Sequence, residues 1–288
     1  FFEFARRTGF ARIELNHKVT SAMLDGLDLK RFQVSSVHEP CPADISADEL
    51  KKRDWLISSI DEDRRREGVK AIQRSIDLAS RWKIPAIVIH AGHTDPDMDP
   101  EKKLRALIAS GRRASDEYHE IHRQMIQARA EAAVASFASV KKSVLELLAH
   151  AEKTGVRLGI ENRYHYMEFP SPNELEILLA LAEPGRLGFI YDVGHAQVLD
   201  RLGFFPHEEW LQRFGKRIIG AHLHDVIGTT DHYAPGLGEV DFAMVAAYLP
   251  ETAFRTCEFQ TINTPEQVKA GLKFLMENGC IAAGLSSK

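Results

Sequence analysis

The sequence predicts an α/β chain folded as a (β/α)8 barrel, on three observations. Strand-like and helical stretches alternate from end to end, the pattern of βαβ units feeding a parallel sheet. Six strand-like runs each end in a His, Asp or Glu, namely His38, His90, Glu161, Asp192, His222 and Glu258. Closed into one parallel sheet, those strands would deliver all six side chains to a single mouth. The length of 288 residues suits one barrel of about 250 residues with an insertion, so a single domain over 1–288 is expected.

The elements follow in order. Residues 2–8 read as the tail of a helix stopped by Gly9, which places the barrel's first strand upstream of residue 1. Strands are expected at 11–15 and 31–37, the second stopped by His38-Glu-Pro40. Between 61 and 83, Val69, Ile72, Ile76 and Leu78-Ala79 recur close to helical spacing. Lys83-Ile-Pro85 then turns the chain into a strand at 86–89. The charge-rich stretch 95–129 exceeds a minimal βα loop and is predicted to be a helical insertion, placed as a lid on the active-site side. A helix at 130–153 presents Val140, Val144, Leu147-Leu148 and Ala151 inward and closes at Thr154-Gly155. A strand at 156–160 follows, then a helix opened by Pro172 and ended near Glu183-Pro-Gly185. Strands at 187–191, 217–221 and 253–257, and a helix from 264 to 276, complete the chain. That makes seven strands, with the eighth expected upstream.

Composition narrows the function classes. With 44% hydrophobic and 27% charged residues the chain is an ordinary folded protein rather than a disordered one. A formal charge of -4 provides no overall electrostatic footprint for nucleic acid. Cys41, Cys257 and Cys280 are too few and too scattered for a disulfide framework, which fits a reducing compartment. No run reaches the roughly 18 apolar residues of a membrane span and no secretory signal opens the chain. A cytoplasmic location and no membrane partner are expected; a homo-oligomer is compatible with the sequence.

Glu161, Asp192, His222 and Glu258 form the strongest group, each roughly one βα unit of about 30 residues from the next. Three carboxylates and an imidazole make an oxygen-rich site for one divalent metal: Mn²⁺, Mg²⁺, Co²⁺ or Zn²⁺. His195, three residues after Asp192 and just past Gly194, is placed at the same pocket as a ligand or a donor to substrate. His38 and His90, with Glu161 as a bridge, either hold a second metal of zinc type or bind substrate oxygens. His224 stands two residues past His222 on the same side of its strand and is a candidate to orient substrate. Arg163 pairs with a substrate phosphate or makes a surface ion pair. Asp231-His232 leads into Gly236-Leu-Gly238, a weak phosphate-loop signal. His17, His119, His122, His150, His165 and His207 lack ligand spacing and are assigned to surface or packing.

Taken in order, Val88-Ile-His90-Ala-Gly92, Leu158-Gly-Ile-Glu161-Asn162, Asp192-Val-Gly-His195, His222-Leu-His-Asp225, Gly236-Leu-Gly238-Glu-Val-Asp241-Phe242 and Glu258 resemble the xylose isomerase-like TIM-barrel superfamily over essentially the whole chain. That superfamily includes sugar-phosphate isomerases and epimerases and the endonuclease IV group. The epimerase resemblance implies that Glu161, Asp192, His222 and Glu258 hold one metal. It also makes Glu161 and Glu258 the acid/base pair that moves a proton through a metal-stabilised enediolate, with His195 positioning a substrate oxygen. A small-molecule carbohydrate (a sugar, sugar phosphate or related polyol) is then the expected partner. The endonuclease IV resemblance implies instead a zinc-dependent phosphodiester hydrolase, with His38, His90 and Glu161 on a first metal. Its third metal would take His195 with an Asp-x-His pair, where this chain has Asp231 and His232 adjacent. A non-catalytic sugar-binding barrel is a third alternative.

Overall fold

A computed structural model describes residues 2–27, 32–94 and 97–282. Arg31 and Asp95, the first residues of an expected strand and of the expected insertion, lie outside them. The chain opens with helix α1 (Phe2–Thr8), strand β1 (Arg12–Leu15) and the short α2 (Ser21–Asp25). Strand β2 (Gln33–His38), α3 (Ala47–Lys52), α4 (Glu62–Trp82) and β3 (Ala86–Ile89) follow. Asp61 caps α4 by accepting from the amides of Asp63 and Arg64, and Lys83 ends it in the left-handed conformation. Helix α5 (Asp99–Ala109) and the long α6 (Asp116–Ala151) precede β4 (Arg157–Glu161). Helix α7 (Pro172–Leu179) starts at a capping box in which Ser171 and Glu174 satisfy each other's amides. Strand β5 (Leu187–Asp192), α8 (Val193–Arg201), α9 (His207–Phe214) and β6 (Ile218–Leu223) come next. A hairpin of β7 (Asp225–Ile227) and β8 (Thr230–Tyr233), then α10 (Phe242–Tyr248), β9 (Phe254–Cys257) and α11 (Pro265–Glu277), complete the order.

Strands β1, β2, β3, β4, β5, β6 and β9 form one sheet in that order, every pair parallel. The sheet curls until Glu14 of β1 lies 3.3 Å from His222 of β6, so seven strands nearly close into a barrel. Helices cover the outside, and the outward faces of the strands are near-continuously apolar, as burial on both sides of a parallel sheet demands. Inside, one layer below the strand ends, Val88, Ile190 and Ile219 pack together with Phe254 against them. Gly159 and Gly220 make room for that layer: a Cβ at either would stand 2.5 Å from Ile190 or 2.2 Å from Phe254. This apolar layer is the floor on which the polar cluster sits.

The long helix departs from expectation. Predicted to begin at residue 130, it begins at Asp116, so the stretch expected as an insertion is α5 plus the first turns of a helix that continues into the barrel wall. Buried charges hold it there. Glu101 accepts from the Tyr166 amide at 2.9 Å and meets His165 at 2.8 Å. Arg129 reaches the carbonyl of Tyr166 and the carboxylate of Glu174. Among the described residues no helix is long and apolar enough to cross a membrane.

Candidate metal centre

The strands deliver their terminal residues to one place. Two residues before His38, His90, Glu161, Asp192 and His222 on the same strand faces stand Ser36, Val88, Gly159, Ile190 and Gly220, and the period of two carries the next side chain up into the mouth. Glu161, Asp192 and His222 are fully buried. His222 Nδ1 lies 2.8 Å from Glu161 Oε1, 3.0 Å from Glu258 Oε2 and 3.6 Å from Asp192 Oδ2. Glu161 Oε1 and both ring nitrogens of His222 are buried, yet none makes a hydrogen bond. Buried polar atoms without partners are costly, and three carboxylates converging on one imidazole are what a divalent cation neutralises. These four residues could therefore hold a metal ion, their donor atoms all lying within 4.8 Å of one another.

The electrostatics show carboxylates that stay ionised and draw positive charge, here a proton on His222, to this point. Burial alone would raise the Glu161 carboxyl, but the Arg163 guanidinium and His222 hold it well below the usual carboxylate range. Burial likewise opposes ionisation of Asp192, but His195 and His224 keep it charged. Burial would pull His222 down, but Glu14 and Glu258 push it well above its ordinary value.

Glu14 is a residue that sequence reasoning missed. Its side chain is 6% exposed; one oxygen faces His222 Nε2 at 3.3 Å and the other accepts from Ser36 Oγ at 2.5 Å. A metal held at Nδ1 would leave the imidazole proton on Nε2, facing Glu14. Its signal was available: Glu14 sits between buried Ile13 and Leu15, and alternation turns it to the barrel interior. His17, assigned to surface or packing, stands instead at the mouth with its ring 5.6 Å from that of His38.

Asp192 is the hub of the far side. Asn162 donates to its carbonyl and accepts from its amide, both at 2.8 Å. Its carboxylate accepts from the His195 amide at 2.7 Å and so caps α8. His224 Nδ1 accepts from the His232 amide at 3.0 Å, and so its Nε2 proton is donated to Asp192 at 2.9 Å. With both nitrogens used, His224 holds Asp192 in place and has no lone pair for substrate. Gly194 permits this, since a Cβ there would stand 2.1 Å from the His224 ring.

His195 donates from Nδ1 to the Asn162 carbonyl at 2.9 Å, leaving Nε2 free as an acceptor, 3.6 Å from Asp231. His232 has a φ of 63°, a left-handed turn that departs from strand alternation and brings its ring beside its neighbour Asp231, at 2.9 Å. His195, His224 and His232 thus form a second group whose nitrogens lie within 4.8 Å.

The third group is His38, His90 and Glu161. The two imidazole Nε2 atoms are 3.2 Å apart, and His90 Nε2 is 2.8 Å from Glu161 Oε2. Arg163, 12% exposed, hydrogen-bonds both Glu161 Oε2 and His90 Nε2; it is neither at the surface nor free for a phosphate. The glycine loop also departs from its phosphate reading. The amides of Gly236, Gly238 and Val240 all donate to the buried Asp225 carboxylate, at 2.9, 2.9 and 3.0 Å, so they are closed to an anion.

Comparison with known proteins places the chain. It is 23% identical over 212 residues to the uncharacterized protein y4fM of Sinorhizobium fredii, covering 72% of this chain and 54% of the relative. The chain thus spans about half the length of that curated relative. Among solved structures, 3-keto-D-glucoside 4-epimerase from E. coli superposes with a TM-score of 0.62 at 14% identity, over 96% of this chain and 92% of the other. D-psicose 3-epimerase from Clostridium cellulolyticum gives 0.64 at 11% identity, over 96% and 92%. At such identities the likeness is one of fold. The model of the xylose isomerase-like TIM barrel family, however, matches residues 2–278, nearly the entire sequence, and the chain belongs to that family.

Proposed function

We propose that the chain is a divalent-metal-dependent isomerase or epimerase of a sugar, sugar phosphate or related polyol. The observation that carries this reading is the cluster of Glu161, Asp192, His222 and Glu258 at the barrel mouth, with two glutamates contributed from separate strands. Structures of similar fold described as sugar epimerases support it. A divalent ion held by these four residues would polarise a carbonyl and neighbouring hydroxyl and acidify the adjacent C–H.

The chain's own residues divide the remaining work. Glu258 has a side chain 28% exposed and faces the mouth, where a sugar would enter. It is held ionised: burial opposes this, but His222 and His232 prevail, and an ionised carboxylate can take a proton. Glu161, fully buried, is the second carboxylate of the pair and can return one. His195 Nε2, with the ring turned by the Asn162 carbonyl, accepts from a substrate hydroxyl. The direct test is wash-in of solvent deuterium at a sugar C–H. With wild type and variant compared at metal saturation, Glu258→Gln is expected to slow exchange by about 10²- to 10⁴-fold; exchange at the normal rate removes Glu258 from the mechanism.

A second reading, metal-dependent hydrolysis of a phosphodiester, draws on His195 and His232 beside the Asp231 carboxylate, at 3.6 and 2.9 Å. Nicking of an abasic-site duplex by the zinc-loaded protein would establish it; intact duplex at stoichiometric enzyme dismisses it.

A further inference from the structure

We propose that Arg163 is a built-in cation that takes the place of a metal ion in the His38–His90–Glu161 cluster, so that this cluster holds no metal. Three acceptor atoms converge there: His38 Nε2, His90 Nε2 and Glu161 Oε2, with His90 Nε2 3.2 Å from the first and 2.8 Å from the last. A metal would need the lone pairs of all three. Arg163 Nη1 already donates to two of them, to His90 Nε2 at 2.7 Å and to Glu161 Oε2. An ion bonded to the same two atoms at about 2.0 to 2.2 Å would overlap that nitrogen.

The guanidinium is built into this position. Arg163 lies two residues after Glu161, so alternation returns it to the same side of the chain just past the strand end. Its Nε stands 3.5 Å from the Glu168 carboxylate, itself 10% exposed and 3.8 Å from Lys51. A guanidinium does not lose its proton in proteins, so unlike a lysine it cannot become neutral to admit a second cation.

Glu161 then has two separate tasks. Its Oε2 is bound by Arg163, and its Oε1 lies 2.8 Å from His222 Nδ1 in the four-residue cluster. The charge that a bridging ion would supply to one side of this carboxylate is supplied by the side chain, and the remaining oxygen is left for the four-residue cluster.

The test is a metal count that is independent of turnover and of the sugar assignment. The full chain and its variants are stripped with a chelator, equilibrated with excess zinc alone, desalted, and analysed for zinc per chain. His90→Ala is expected to leave the wild-type count unchanged. Arg163→Met, which frees both imidazoles and removes the cation, is expected to gain one zinc per chain, and the gain is expected to vanish in Arg163→Met/His90→Ala. A wild-type count that falls by one in His90→Ala overturns the proposal, as does a folded Arg163→Met that gains nothing. Should Arg163→Met not fold, His90→Ala and His38→Ala decide alone: two unchanged counts support the proposal, and loss of one zinc overturns it. Failure of the isomerase reading shows in deuterium exchange and leaves these differences intact.

Discussion

Glu14→Ala tests whether the centre is organised from behind. In the native chain one oxygen of Glu14 lies 3.3 Å from His222 Nε2 and the other 2.5 Å from Ser36 Oγ, within a shell where His222 is fully buried. Removing the carboxylate takes away the negative charge that faces buried Nε2, and loss of a buried polar partner costs about 1 to 3 kcal/mol. Part of that cost disappears in the metal-free protein, because Glu14 also adds negative charge beside Glu161, Asp192 and Glu258. With metal bound no such relief remains, and the ring loses the partner that sets its tautomer. Loss of an outer partner of this kind weakens metal affinity about 10- to 100-fold, or on the order of 1.4 to 2.8 kcal/mol. The assay is zinc competition against a chromophoric chelator, with near-ultraviolet circular dichroism to establish the fold. Glu14→Gln, which keeps an acceptor oxygen, should lose less than Glu14→Ala. A folded Glu14→Ala within twofold of wild type would refute the assignment of Nδ1 as the ligating nitrogen.

Asp225→Ala should destabilise the chain by about 3 kcal/mol in urea unfolding, since it orphans the amides of Val226, Gly236, Gly238 and Val240 and only some can turn to water; a loss below about 1 kcal/mol means the loop is held by other contacts. His207, bonded to Tyr191 and Gln197, is brought by burial to about 4 from 6.5. Its folded value is depressed, so the unfolded chain takes up the proton first as pH falls. Its contribution is present above pH 6.5 and drains away between there and about 4. About 2 kcal/mol should be lost from pH 7 to 5, and His207→Gln should flatten that slope; an unchanged slope would assign the acid sensitivity to other groups.

The residues the sequence could reveal were those whose setting is local. A run of Val, Ile and Leu ending in His, Asp or Glu locates a strand and its end at once, and all six such residues do meet at one mouth. What escaped depended on partners distant in the chain. The amides of the glycine loop look open to phosphate until the fold brings Asp225 beneath them. Arg129 marks no helix interior by polarity, yet it is 6% exposed because Glu174 answers it. The start of α6 was misplaced for the same reason, its first turns being charged and buried only at Tyr118, Met125 and Arg129. Glu14 required knowing that β1 and β6 face each other across a nearly closed barrel.

The apolar layer of Val88, Ile190, Ile219 and Phe254 beneath the cluster gives the two proposed bases different isotopic memories. Glu161 stands on that floor fully buried, so a proton it carries has little water to trade with, whereas Glu258 borders the entrance. A hydrogen lifted by Glu258 should be washed out before it returns, and one lifted by Glu161 should travel back with the sugar. Running the reaction from each epimer in deuterated water would read this as label uptake in one direction and retention in the other; equal uptake from both would mean that water reaches the two carboxylates alike.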